Sequence, residues 1–106
     1  MRLGAYDCHI ESGTKTYTAY RQKKISERHR HRWEVNNRYR ERLEKNGLKV
    51  SGVNKELNLV EIIELSDHPW YVAGQFHPEL KSRLSKAHPL FRDFIKASVI
   101  NLKKRT

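Results

Sequence analysis

The sequence has few of the features that define several common protein classes. It contains a single cysteine, Cys8, so no disulfide can form within the chain, and a disulfide-stapled secreted scaffold is excluded. No apolar run approaches the roughly 18 residues of a membrane span. Residues 1–10 have no apolar segment behind a basic start, so they do not read as a signal peptide. We therefore expect a cytoplasmic protein without a membrane partner.

Acidic residues are scarce relative to basic ones. The 106 residues include 22 Lys and Arg but only 12 Asp and Glu, which gives a formal net charge of +10. Such a surplus attracts polyanions. Hydrophobic residues make up 37% and charged residues 32%, which suits one small globular unit with a modest core.

Hydrophobic patterning predicts an α/β arrangement. The predicted strands are residues 1–10, 25–35, 48–53, 59–65 and 70–76. Helical structure is predicted over residues 15–21, after the capping pair Asn36-Asn37, and from Pro89 onward. One face of the last helix is largely apolar, so we expect it to pack on the sheet; this face carries Phe91, Phe94, Ile95, Ser98 and Leu102. Only part of a layered sheet is present, so the predicted fold class is an incomplete α/β unit.

The second predicted strand alternates basic and aromatic side chains. A period of two places Arg28, Arg30 and Arg32 on one face. His29, His31 and Trp33 then lie on the other face.

His77-Pro78-Glu79 follows the fifth predicted strand and has the residue types of a catalytic pair. A histidine can serve as a general base, and a carboxylate on its second ring nitrogen fixes the tautomer. Pro78 stiffens the chain between them. The spacing alone favours the plainer alternative, a surface turn that happens to hold a histidine and an acid.

Several segments in order resemble the CTP synthase family of class I glutamine amidotransferases. Gln75 to Glu79 resembles the family's C-terminal catalytic segment, and residues 27–36 resemble its Arg/His run. The match continues through further segments and covers nearly the whole chain; these are residues 1–4, 59–64, 67–70 and 88–91.

The resemblance implies a fragment of the amidotransferase layered sheet with a C-terminal packing helix, spanning residues 1–106. It implies that His77 is the general base, that Glu79 orients it, and that Arg32 binds the glutamine substrate. Arg28 and Arg30 either form a solvated basic face or line the nearby groove.

The same resemblance implies the reaction and the partners of the parent enzyme. The parent aminates UTP to CTP with ATP and glutamine-derived ammonia, and its synthase domain uses ATP and Mg²⁺. No cofactor or metal is expected in this segment. Its expected partners are L-glutamine, the rest of the glutaminase domain and the synthase domain, in a homo-oligomeric, tetrameric parent.

The sequence departs from the family at the nucleophile. The family's catalytic cysteine sits on a glycine-flanked elbow, whereas Cys8 has no flanking glycine and resembles a non-catalytic family cysteine. We therefore expect the nucleophile half and the synthase domain to lie outside this sequence, and the chain alone to be inactive.

Two other interpretations stay open. Residues 21–45 hold ten Lys or Arg and four Glu, with Trp33 and Tyr39 among them, as in a basic nucleic-acid-binding module. Nucleic acid is nevertheless a disfavoured partner, because the family match extends far beyond this run. A metal site on His29, His31 and His77 is the weaker alternative, since the usual ligand spacing is absent.

Overall fold

An antiparallel sheet organises the chain. The computed structural model describes residues 2–31, 33–83 and 85–105. Five strands lie in the order β2-β1-β3-β4-β5; they are β1 (Arg2–Ile10), β2 (Lys24–His31), β3 (Leu48–Asn54), β4 (Leu59–Leu65) and β5 (Val72–Gly74). The helices are α1 (Lys15–Tyr20), α2 (Arg40–Lys45) and α3 (Pro89–Arg105), with 3₁₀ turns at Asn37–Tyr39 and Pro78–Leu80. The mixed α/β class is as predicted, and none of the helices in the described ranges is long and apolar enough to cross a membrane.

The alternation predicted for residues 25–35 is confirmed as far as His31, where the strand ends earlier than predicted. Ile25, Glu27 and His29 are buried, whereas Arg28 and Arg30 are exposed. The strand pairs with β1 along eight residues. Arg32, which the sequence assigns to the exposed face, lies outside the described residues.

Helix α1 is held by a carboxylate from β4. Oxygens of the buried Glu64 accept hydrogen bonds from the backbone N–H of Lys15 at 3.1 Å and of Thr16 at 3.2 Å. The Thr14 side chain caps the helix by accepting from the N–H of Tyr17 at 3.0 Å. A six-residue helix is marginal by itself, so these contacts from the sheet determine that it forms here.

A glycine allows β3 to approach the core closely. A Cβ added at Gly52 would lie 2.8 Å from Cys8 Sγ and 2.8 Å from Ile62 Cδ1. The register between β3 and β4 shifts at this residue. The missing side chain is therefore what lets Cys8 and Ile62 pack against the bulged strand.

The prediction that the apolar face of α3 packs on the sheet is wrong. Phe94 is 51% exposed and Leu102 is 63% exposed, and Phe91 and Ile95 are exposed as well. The helix enters the core through Leu90 and contacts α1. Its less exposed positions recur every four residues, at Asp93, Ala97 and Asn101. These mostly small side chains permit close helix contact, and most of the apolar stripe stays exposed to solvent.

The fifth strand is shorter than predicted. Residues 70–76 were expected to be extended, but only Val72–Gly74 pairs as a strand. Beyond it, Phe76 is buried in the core cluster and the N–H of His77 bonds to the carbonyl of Arg28 at 2.8 Å. The chain thus leaves β4 and turns toward β2, which ends the regular pairing.

Candidate active site

His77 and Glu79 form a hydrogen-bonded pair at the surface. His77 Nδ1 lies 2.7 Å from Glu79 Oε1. Their side chains are 40% and 56% exposed. An Nδ1–H would donate to this carboxylate, and in that tautomer of the neutral ring Nε2 carries the lone pair. This is the geometry that a general base with an orienting acid requires.

The backbone fixes His77 at a junction of three strands. Its N–H bonds to the carbonyl of Arg28 in β2, and the N–H of Gln75 bonds to the carbonyl of Glu61 in β4 at 2.8 Å. Phe76, between them, is buried and meets the His29 ring edge-to-face at 5.9 Å. Pro78 then begins the 3₁₀ turn that brings Glu79 back toward the histidine. The turn is thus anchored to the core while its side chains face outward.

Local electrostatics keep the Glu79 carboxylate charged. Its own backbone N–H, and then the His77 ring, hold the pKa of this carboxyl below its usual value. A carboxylate that stays ionised can accept a hydrogen bond from the Nδ1–H and stabilise a protonated ring.

The segment after β2 is tied to the same junction. The amide of Gln75 donates to the carbonyl of Trp33 at 2.9 Å. Glu34, next in sequence, accepts two hydrogen bonds from the Arg2 guanidinium, at 2.7 and 2.8 Å. Arg32, the predicted glutamine-binding residue, lies outside the described residues. The structure therefore ties Trp33 to Gln75, just before the turn, and Glu34 to Arg2, and the role of Arg32 stays a prediction.

The predicted basic face of β2 is present. Arg28 and Arg30 are solvent-exposed, and only the backbone of Arg28 contacts the His77 turn by hydrogen bonding. Trp33 is 84% exposed, and Tyr39 is exposed too. The nucleic-acid interpretation is not tested by these exposures and stays a prediction.

Buried charges beneath the site were missed by the sequence reasoning. Glu61 Oε1 lies 2.7 Å from both Arg2 Nη1 and His29 Nε2, and all three side chains are almost fully buried. Burial by itself raises the pKa of Glu61, but its interactions with His29, Cys8 and Arg2 hold the pKa below its usual value. A signal was available, because a glutamate stands inside the apolar strand Leu59–Leu65. An alternating strand pattern does not reveal which acid has an internal partner.

Cys8 is buried, as predicted. Its exposed fraction is 0%, and burial followed by the charge of Glu61 raises the pKa of the thiol. A buried thiol that resists ionisation is a poor nucleophile.

No metal centre is formed within residues 2–31, 33–83 and 85–105. No group of three or more His, Cys, Asp or Glu side chains there is placed to hold an ion. His29 Nδ1 instead lies 2.9 Å from His31 Nε2, while His77 Nδ1 bonds to Glu79.

Comparison with known proteins identifies the family of the chain. Residues 1–97 match the family described as Glutamine amidotransferase class-I. The chain is 58% identical over 103 residues to the CTP synthase of Caldanaerobacter subterraneus subsp. tengcongensis, covering 97% of this chain and 19% of that protein. It is 61% identical over 99 residues to the CTP synthase of Carboxydothermus hydrogenoformans, covering 93% of this chain and 18% of that protein.

A solved structure has the same fold. The glutaminase domain of Trypanosoma brucei CTPS with bound acivicin superposes with a TM-score of 0.88 at 36% identity, over 93% of this chain and 40% of that one. The match confirms the predicted amidotransferase sheet fragment with its C-terminal helix. The chain spans about a fifth of the length of the CTP synthases it matches. By sequence and by fold, the chain belongs to the class I glutamine amidotransferase family, and its similar proteins are CTP synthases.

Proposed function

We propose that this segment supplies two members of a Cys-His-Glu triad that hydrolyses glutamine for CTP synthesis. His77 is the general base and Glu79 the acid that orients it. The observation that carries the proposal is the 2.7 Å bond between His77 Nδ1 and Glu79 Oε1 in an exposed turn. The remaining member, the cysteine nucleophile, belongs to another part of the parent enzyme.

The proposed reaction proceeds through a thioester. His77 Nε2 takes the thiol proton as sulfur attacks the glutamine side-chain carbonyl, and it returns that proton to the departing ammonia. In the second half, Nε2 takes a proton from water as the water attacks the thioester, which releases glutamate and restores the thiol. Glu79 holds the ring and stabilises its protonated form throughout.

Arg32 binds the substrate in this proposal. A guanidinium can donate two parallel hydrogen bonds to an amino-acid carboxylate. The anchoring of Trp33 to Gln75 and of Glu34 to Arg2 supports the assignment, since it holds the segment following Arg32 beside the His77 turn. The released ammonia would serve a synthase domain that binds ATP and Mg²⁺ and converts UTP to CTP.

A hybrid enzyme tests the proposal. Residues 1–103 of this chain would replace the matching segment of the Caldanaerobacter CTP synthase, and CTP formation would be measured with glutamine and with ammonium salt. We expect CTP from both nitrogen sources. A hybrid that uses ammonia normally but not glutamine would show that the segment does not complete the triad.

The isolated chain is expected to show no glutaminase activity. Its one cysteine is buried, and burial raises the pKa of that thiol. Ammonia release from glutamine by the purified 106-residue chain, abolished in Cys8→Ser, would contradict this and return Cys8 to the candidate nucleophiles.

A further inference from the structure

A concave surface lies apart from the His77 turn. A cavity of about 700 Å³ is bordered by α1, the start of β2, the first turns of α3 and the loop that precedes α3. His77 and Glu79 do not line it. Its volume lies in the range of roughly 300–1,000 Å³ that is typical of small-molecule sites.

Basic side chains dominate the walls of this cavity, which we call the basic cavity. Six cations line it against two carboxylates, Glu27 and Asp93. The cations come from three separate stretches of chain; they are Arg21, Lys81, Arg83, Lys86, Arg92 and Lys96. A run of charge on one strand is usually a solvated face. Here, cations from three segments converge on one cavity. The low-dielectric walls of such a cavity concentrate the positive electrostatic potential, which an exposed face does not do.

The positive charge is poorly compensated. Lys81 donates to the carbonyl of Ser26 at 2.6 Å, whereas Arg92 donates to the carbonyl of Ala19 at 2.6 Å and is also paired with Asp93. A carbonyl satisfies a donor without neutralising its charge. Within the described part of the chain, the side chains of Lys86 and Lys96 have no hydrogen-bond or ion-pair partner.

The two carboxylates are already engaged. Asp93 accepts from Arg92 Nε at 2.9 Å. Glu27 is buried at the floor, with the Tyr20 hydroxyl and His88 Nε2 each 2.5 Å from its Oε2. Glu27 Oε1 has no hydrogen-bond partner among the described residues, but Glu27 is only 1% exposed, and Asp93 is paired with Arg92. Lys86 and Lys96 therefore keep their positive charge uncompensated by the described residues at the mouth of the cavity.

The N-terminus of α3 adds to the same field. The 17-residue helix begins at Pro89 on the cavity wall. The N–H of Leu90 is taken by His88 Nδ1 at 3.1 Å, so the helix contributes its dipole and not that donor. Cations, a concave wall and a helix N-terminus together favour a small, multiply charged anion.

We propose that the basic cavity binds a small molecule that carries at least two linked phosphate groups. Lysine and arginine donors are suited to phosphate oxygens. Several cations spaced around the cavity can contact both groups of a diphosphate at once, so we expect them to bind a diphosphate more tightly than they bind a single phosphate. The site is independent of the proposed glutaminase chemistry, since it shares no lining residue with the His77–Glu79 pair.

Calorimetric titration of the 106-residue chain with pyrophosphate tests the proposal, in about 0.15 M NaCl to screen diffuse attraction. The pocket variant is Lys86→Gln/Lys96→Gln. The matched control is Lys45→Gln/Lys55→Gln, which removes the same charge from exposed positions outside the cavity. All four side chains are exposed, so both variants should keep the wild-type circular dichroism and melting temperature.

We expect the pocket variant to raise the Kd for pyrophosphate about tenfold or more, because it removes two charge-assisted contacts to the ligand. The control should change the Kd less than about twofold, because Lys45 and Lys55 do not line the cavity. Orthophosphate should bind more weakly than pyrophosphate. Equal weakening in the two variants, or absence of binding by the wild-type chain, would overturn the proposal in favour of diffuse surface charge. Equal affinity for orthophosphate would overturn the requirement for two phosphates.

Discussion

Two of the histidine–glutamate pairs in the described residues have the same chemistry but lie in opposite surroundings. His77 and Glu79 approach to 2.7 Å, with side chains 40% and 56% exposed. His88 and Glu27 approach to 2.5 Å, with side chains 2% and 1% exposed. Distance alone would rank the buried pair as the better catalytic candidate.

The ring nitrogens reverse that ranking. His88 Nε2 contacts Glu27, and its Nδ1 accepts from the N–H of Leu90, so both nitrogens are occupied. His77 uses Nδ1 for Glu79, and among the described residues Nε2 has no partner. A general base needs a free nitrogen that can reach its substrate. The buried pair instead joins β2 to the start of α3, which is a structural role.

The largest expected effect that separates the pairs is catalytic. In the hybrid enzyme, His77→Ala should lower glutamine-dependent CTP formation by about 10²- to 10⁴-fold, which is the usual contribution of a positioned base. Synthesis from ammonium salt should stay largely intact, because ammonia enters after the thioester steps.

Glu79→Ala serves as the graded companion to that variant. It should be milder, since it removes the orienting acid and leaves the base. Equal loss with both nitrogen sources would point to damaged structure, and full retention with glutamine in His77→Ala would remove His77 from the triad.

The next effect is on stability and should appear only at the buried pair. Glu27→Ala should cost about 3–5 kcal/mol in the free energy of unfolding, because it leaves polar groups of Tyr20 and His88 buried without their shared acceptor. Glu79→Ala should leave the urea midpoint nearly unchanged, since its partners remain solvated. The measurement is urea unfolding of the 106-residue chain followed by circular dichroism. Similar midpoints for Glu27→Ala and Glu79→Ala would erase the distinction between the pairs.

A third pair sharpens the comparison through pH. The pKa of Glu61, buried against His29 and Arg2, is held below its usual value. A lowered folded-state pKa contributes stability above the unfolded value, about 4.3, and that stability is lost as pH falls through the folded value. Glu61→Gln should therefore be less stable at pH 7 and lose less further stability below about pH 4 than wild type. Parallel acid unfolding curves would show that Glu61 is not linked to acid stability.

The smallest effect concerns the exposed carboxylate itself. The pKa of Glu79 is lowered first by its own backbone N–H and second by the His77 ring. Removing the ring in His77→Ala should raise the Glu79 pKa only part of the way toward its usual value. Carboxyl titration by NMR on wild type and variant measures this. Complete recovery would assign the shift to the ring and not to the backbone.

Much of the fold followed from local pattern. Leu59–Leu65 was predicted with the bounds of β4, because a β-branched run between turn residues has few alternatives. Pro89 marked the start of α3 for a similarly local reason. The extent of β5 and the burial of α3 were mispredicted, since both depend on which distant surfaces the segment meets.

The candidate site divides in the same way. Sequence determined that His77 and Glu79 stand two apart with a proline between them and that both belong to an amidotransferase-like segment. It also determined the surplus of basic residues, from which the attraction to anions follows. These are properties of composition and of neighbours in the chain, and they need no folded partner.

Only the tertiary structure decided which charges are buried and which are free. It buried Glu27, Glu61 and Glu64 against partners 61, 59 and 49 residues away in sequence, while leaving Glu79 in solvent. The physical reason is that the free energy of a charge depends on desolvation and on the groups that surround it in space. Residues that look alike in the sequence therefore become a buried structural contact in one place and an exposed hydrogen-bonded pair in another.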